Sequence, residues 1–243
     1  MTHDELPNCQ RHSIRHSLFV IQPILQNEIR VAGAARQRSC GKKPAHFRFI
    51  LVRTLVVADE EHIDFDRELR ADLLISCGDV SDSFILRVAE MTLCRHLFAV
   101  KGNHDSSARF HSPIKDLHLK VVEHQGLKFG GFNGSWRYKP RGHFLYEQEE
   151  VEKALESFPP VDVFVAHNSP HLIHQWDEGV HVGFKAFNAY IERARPQVFI
   201  HGHQHVNAES FVAATRVIGV FGQRWVRMPS VHRKPTDKHA RPR

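Results

Sequence analysis

Apolar residues in this chain come in short runs that stop abruptly at acids, amides and histidines. Runs at 54–58, 73–77 and 97–100 are followed by Asp59-Glu60-Glu61, Gly78-Asp79-Val80-Ser81-Asp82 and Gly102-Asn103-His104-Asp105. Runs at 161–166 and 197–200 lead in the same way to His167 and to Gly202-His203-Gln204-His205. Short, nearly continuous apolar runs of strand composition predict buried strands. The loops behind them then fall at strand carboxyl ends, where open α/β sheets place their sites. Between these runs, residues 83–93 carry helical spacing and 148–158 read as an acidic-basic helix. Residues 183–194 put Phe184, Phe187 and Tyr190 on one apolar face, which reads as core. Residues 118–124 and 127–132 flank Gln125-Gly126 and predict a hairpin or adjacent antiparallel strands.

The five polar islands, in that order, resemble the motifs of the calcineurin-like metallophosphoesterases: D-x-H, G-D-x-x-D, G-N-H-D/E, H and G-H-x-H. The resemblance spans residues 54–205, and residues 212–228 look like the closing strands of that fold. It implies a metallophosphoesterase-type four-layer αββα sandwich, two mixed sheets flanked by helices. It also implies an enzyme that hydrolyses a phosphate mono- or diester with two divalent metal ions. By this carry-over Asp79 bridges the two metals, Asp59 and His205 complete one site, and Asn103, His167 and His203 complete the other. Two cations about 3.5–4 Å apart offset developing charge and lower the pKa of bound water from about 15.7 to about 7, so a metal-bound hydroxide attacks without a protein base. His104 matches the residue that protonates or stabilises the leaving group. Asp82 is the expected carboxylate behind its ring, with Asp105 as rival.

One island departs from the pattern. Asp59-Glu60-Glu61 stands where D-x-H is usual, so the first metal loses an imidazole. Glu61 is expected to ligate that metal or hydrogen-bond near it, and a carboxylate biases the site towards Mn²⁺ over Fe, Zn or Ni, with Mg²⁺ also compatible. His62 is the competitor, but it lies one residue out of register on a strand end.

Simpler readings stand beside these. The chain has 20 histidines, of which the family template uses only His104, His167, His203 and His205. His201 reads as a satisfied core group, whereas His171 and His174 lie close enough in sequence to reach a substrate. Asp79 and Asn103 are good helix N-caps, although capping accounts for one residue at a time. Gly130-Gly131-Phe132-Asn133-Gly134-Ser135-Trp136-Arg137-Tyr138 is either a structural glycine-rich loop or a substrate-side loop in which Arg137 binds a phosphate.

Composition narrows the class. The chain of 243 residues is 42% hydrophobic, enough for one sizeable core. No run of about 18 apolar residues offers a membrane-spanning helix. Cys9, Cys40, Cys77 and Cys94 show no C-x-x-C spacing, Cys77 sits in an apolar strand, and a reducing cytoplasm is the simplest compartment. Residues 1–57 hold nine Lys/Arg against three Asp/Glu and residues 232–243 five against one, which leaves 58–231 at a balance of −4. The basic character therefore belongs to the ends. We expect a dispensable, poorly ordered basic extension over 1–45, a catalytic domain over 46–231 and a basic tail over 232–243. An acidic centre carrying metals disfavours a nucleic-acid groove. The expected substrate is a small phosphoester or nucleotide. The alternatives are a catalytically weak phosphate-binding or interaction scaffold of the same fold, kept open by Glu61, and a nuclease.

Overall fold

The computed structural model describes residues 47–63, 70–175 and 179–233, all within a unit that runs from Pro44 to Arg243. The chain passes through β1 (Phe47–Ala58), β2 (Leu73–Ser76), α1 (Asp82–Met91), β3 (Leu97–Ala99), β4 (Lys115–Asp116), β5 (Val122–His124), β6 (Leu127–Phe132), β7 (Ser135–Trp136) and β8 (Leu145–Tyr146). It continues through α2 (Gln148–Glu156), β9 (Val163–Ala166), α3 (Lys185–Ala194), β10 (Val198–His201), β11 (Ala208–Val212), β12 (Thr215–Gly219) and β13 (Gly222–Arg233). The expected extension, residues 1–45, lies outside the described residues. So does the expected tail, apart from its first two positions, which β13 takes in.

Two mixed sheets form the centre. One has the order β13-β1-β2-β3-β4 and the other β11-β12-β10-β9-β6-β5, with a separate pair β7-β8. In the first sheet β1, β2 and β3 run parallel, with Thr54 opposite Leu73 and Leu74 opposite Leu97. In the second, β9 and β10 run parallel with Val163 opposite Val198. Parallel neighbours bring their carboxyl ends to one edge, which gathers the islands that follow them.

Strand alternation separates three apolar layers. Along β1, Val52, Val56 and Ala58 face the second sheet and meet Val163, Val165, Val198 and Ile200. Leu55 and Val57 point the other way, onto Phe84, Ile85 and Val88 of α1. On the far side of the second sheet, Phe132, Phe164 and Phe199 pack against α2 and α3 through Leu155, Phe187 and Tyr190. This is the expected order of helix, sheet, sheet, helix, and each layer buries one face of its neighbour.

The hairpin appears as antiparallel β5 and β6 with His124 opposite Leu127. Its two turn residues, Gln125 at φ 49° and Gly126 at φ 75°, are both left-handed, as a type I′ turn requires. Cys77 and Cys94 are buried free thiols. Among the described residues no helix is long and apolar enough to cross a membrane.

The aromatic layer sets a stability test. Phe187 is fully buried and its ring meets Phe132, Phe164, Phe184 and Phe199. Phe187→Ala is expected to cost about 3–5 kcal/mol. Urea unfolding should show a lower midpoint at unchanged slope, and a loss under about 1 kcal/mol would contradict the packing described.

Candidate metal centre

Four of the expected ligands sit on backbone that L-residues seldom adopt. Asp59 has φ 64°, Asp79 φ 56°, His203 φ 62° and His205 φ 48°. Such conformations cost energy and persist where the surroundings hold them, characteristically at functional sites. Two glycines make the room. A Cβ on Gly102 would lie 2.0 Å from Asp79 Oδ1, and one on Gly202 would lie 2.7 Å from Asp59 Oδ2. Each carboxylate is therefore cradled by the backbone of another loop.

Hydrogen bonds complete the convergence. The peptide N–H of His104 donates to Asp79 Oδ1 at 2.8 Å, and that of His203 donates to Asp59 Oδ2 at 2.8 Å. Asp105 Oδ2 accepts the N–H groups of both Asp79 and Gly102, at 3.0 and 2.7 Å, and straps the second island to the third. His167 donates from Nδ1 to the Cys77 carbonyl at 2.8 Å, which directs Nε2 towards Asp79 Oδ2 at 3.3 Å and Asn103 Oδ1 at 2.9 Å. Asn103 gives its amide N–H to Tyr138 Oη at 3.2 Å, leaving Oδ1 for the cluster. Donor atoms of Asp79, His167 and His203 all lie within 4.8 Å of one another.

The electrostatics fit a cation. Burial, with Asp79 and Asp105 nearby, pushes the Asp59 carboxyl up to about 7 against the pull of His167, and Asp59 Oδ1 is buried without a hydrogen-bond partner. Burial opposes charge on His167, yet the Asp79 carboxylate raises its ring to about 9. Burial likewise opposes charge on Asp79, but His167 holds its carboxyl well below the usual range. A proton on His167 thus balances the carboxylates where a metal would. Burial keeps His203 far below the ordinary imidazole range and lowers His205, so both favour the neutral form that binds metals.

The remaining expected residues divide. His104 is exposed on a cleft of about 490 Å³ that also touches Glu61, Asp79, Ser81, Asp105 and Arg109. His205 is exposed, its ring 5.7 Å from that of His181 and 5.1 Å from that of Phe221. Glu61 shares the cleft, but Glu61 Oε1 accepts the Ser81 N–H at 2.6 Å and so ties the first loop to the start of α1. Ser81, not Asp79, caps α1, and Asn103 precedes no described helix, so the capping reading of both fails.

Two expectations need correction. Asp82 does not orient His104: Asp82 Oδ1 accepts from Lys101 Nζ at 3.3 Å and Oδ2 from the His111 N–H at 2.6 Å. The reason is the Lys101 ammonium, whose side chain is only 8% exposed and needs a counter-charge. Arg137 likewise has partners of its own. Its guanidinium is held by Glu147 Oε1 at 2.9 Å and Glu150 Oε2 at 3.4 Å, the two residues of the α2 capping box. The glycine-rich loop instead clamps the third island, because Asn133 Oδ1 accepts the Lys101 N–H at 2.8 Å and Gly134 N–H donates to the Lys101 carbonyl at 2.7 Å. His201 is the expected satisfied core group, bonded to the Gly202 carbonyl and to His174, each at 2.9 Å. Tyr138, Lys101 and His181 carry no motif and were not singled out by the sequence. Tyr138 lies at the end of the glycine-rich stretch, the one signal pointing to it.

Cation binding should depend on pH in a defined direction. Asp59 holds its proton up to about 7 and His167 up to about 9, and each would have to release it in order to ligate a cation. Mn²⁺ affinity is expected to be weakest in acid and to rise as pH passes those two values, with proton release detected by titration calorimetry in buffers of different ionisation enthalpy. An affinity flat across that interval would be inconsistent with this pair of ligands.

Comparison with known proteins agrees with the geometry. A sequence model described as the calcineurin-like phosphoesterase superfamily domain matches residues 56–221. No curated protein matches. One solved structure superposes with a TM-score of 0.53 at 15% identity, covering 76% of this chain and 99% of its own, which shows a shared fold. TT1561 of Thermus thermophilus gives 0.49 at 13% identity over 71% and 90% of the two chains. Phosphopantetheinyl hydrolase from Mycobacterium tuberculosis gives 0.43 at 12% over 78% and 98%. With its family domain matched over more than half its length and the motif loops drawn to one edge, this chain belongs to the calcineurin-like phosphoesterase superfamily.

Proposed function

We propose that the chain is a dinuclear-metal-dependent phosphoesterase acting on a small phosphate mono- or diester. The observation that carries this reading is the buried cluster itself: Asp79, His167 and His203 donors within 4.8 Å, beside an Asp59 oxygen that no protein group satisfies. In this reading Asp79 would serve both cations, Asp59 and His205 would hold one, and Asn103, His167 and His203 would hold the other. Hard carboxylate oxygens mixed with imidazoles favour Mn²⁺ over Mg²⁺. Divalent cations, when bound, supply positive charge against the phosphoryl oxygens and make water acidic enough to act as a nucleophile.

The chain's own residues do the rest. The His167 Nδ1–H bond to the Cys77 carbonyl fixes the tautomer, so Nε2 is the ligating nitrogen once its proton leaves. Tyr138 turns Asn103 so that its carbonyl oxygen faces His167. Asp105 Oδ2 accepts the Asp79 backbone N–H while the His104 N–H donates to the Asp79 carboxylate, so backbone and side chain are both held before substrate arrives. His104 presents its ring to the cleft, where it gives a proton to the departing oxygen of the ester. The cleft supplies room for that departing group.

The test uses the purified full chain, an aryl phosphate monoester, a bis-aryl diester and single-stranded DNA, each with Mn²⁺ and with chelator. Turnover of a small ester is expected with Mn²⁺ and not with chelator. Asp79→Asn and His104→Asn should each lower kcat by roughly 10²-fold or more, because both act mainly in the transition state. Absence of turnover with any divalent cation would favour the scaffold reading, and cleavage of DNA alone the nuclease.

A further inference from the structure

The island after β1 has no imidazole at the place where the family pattern puts one, since Glu61 stands there. Glu61 brings a carboxylate in its place, with Oε1 engaged by the Ser81 N–H. On the reading above, Asp79 has three further donors on one side, Asn103, His167 and His203, and two on the other, Asp59 and His205. One side is short of a ligand.

An imidazole lies beside both histidines of the last island, supplied by a segment without any motif. The His181 ring centroid is 5.7 Å from that of His205, in an edge arrangement, and 5.0 Å from that of His203. The backbone around it is held by the ligand loops themselves. Gln204, between the two histidines of the last island, donates from Nε2 to the His181 carbonyl at 2.8 Å. His203 Nε2 meets the Val180 carbonyl at 3.2 Å, and Asn168, next to His167, donates to the Val182 carbonyl at 2.8 Å. Residues 180–182 are thus fastened to both His-bearing loops of the second sheet. Three imidazoles gathered this closely repel one another when protonated and are drawn together by a cation between neutral rings.

We propose that His181 is a metal ligand, supplying to the cation of Asp59, Asp79 and His205 the imidazole that the first island lacks. This rests on the two-cation reading. It also gives that side the same mixture of oxygen and nitrogen donors as the other, which favours a transition ion over Mg²⁺ at both positions.

The experiment titrates the metal-free full chain with Mn²⁺, and separately records the visible absorption of the Co²⁺-loaded chain, for the wild type, His181→Gln and His181→Ala. A thermal melt of each metal-free variant checks that it folds, and the two substitutions perturb packing differently. The weaker Mn²⁺ dissociation constant is expected to rise about 100-fold, the upper end of what loss of a mere orienting neighbour costs, while the tighter one stays within about twofold. The Co²⁺ band should change shape in both variants, and added imidazole should restore it in His181→Ala. Dissociation constants and band both unchanged would overturn the proposal, even if activity fell, since His181 would then serve the phosphoryl group. The same loss in His62→Ala with none in His181→Gln would also overturn it. A wild-type chain that takes up neither Mn²⁺ nor Co²⁺ would instead bring down the two-cation reading beneath it.

Discussion

The contact between Asp79 and His167 joins the two sheets at the edge where the chemistry is gathered. The carboxylate comes from the loop after β2 in the first sheet, and the imidazole from the loop after β9 in the second. Both are taken out of water, and burial alone would neutralise each of them. Each is the other's counter-ion at 3.3 Å, which favours the charged form of both. The remainder of the site follows from keeping that pair in register. Gly102 leaves space for the carboxylate, the His104 N–H donates to it, Asp105 Oδ2 accepts the Asp79 backbone N–H, and the Cys77 carbonyl aims the ring.

The fold serves this pair by making the edge rigid. An apolar layer between the sheets fixes β1, β2 and β3 against β9 and β10, so the ends of the strands cannot slide without breaking close packing. Against that rigidity the loops can carry left-handed backbone at Asp59, Asp79, His203 and His205. Asp59, Asp79 and His203, each within three residues of a strand end, turn their side chains inwards, which a relaxed extended backbone would not do. Stability stored in the sheets thus offsets strain at the site.

Much of this was legible in the sequence. Short apolar runs, each leading within a few residues to ligand-type side chains, gave strands and loops together, because a buried parallel strand needs continuous apolar sequence and its loop is where polar groups can surface. The pattern at Phe184, Phe187 and Tyr190 read as core, and all three lie in it. What sequence could not supply was the partner of each long or charged side chain. Asp82 looked available for His104 until Lys101 proved to be buried beside it, and Arg137 looked available for a phosphate until α2 placed Glu147 and Glu150 within its reach. Those partners are separated by 10 to 19 residues and set by tertiary packing, which leaves no periodic trace. His181 escaped for the same reason: its neighbours are fixed by Gln204 and Asn168, not by any spacing around it.

The most direct test of the account is a crystal of the full chain grown with Mn²⁺ and measured at the manganese absorption edge. Two anomalous peaks about 3.5–4 Å apart, with the Asp79 carboxylate between them and Asp59 Oδ1 turned to one of them, are the predicted result. A single peak away from Asp79, or none while Asp79 and His167 remain paired as they are without metal, would contradict it.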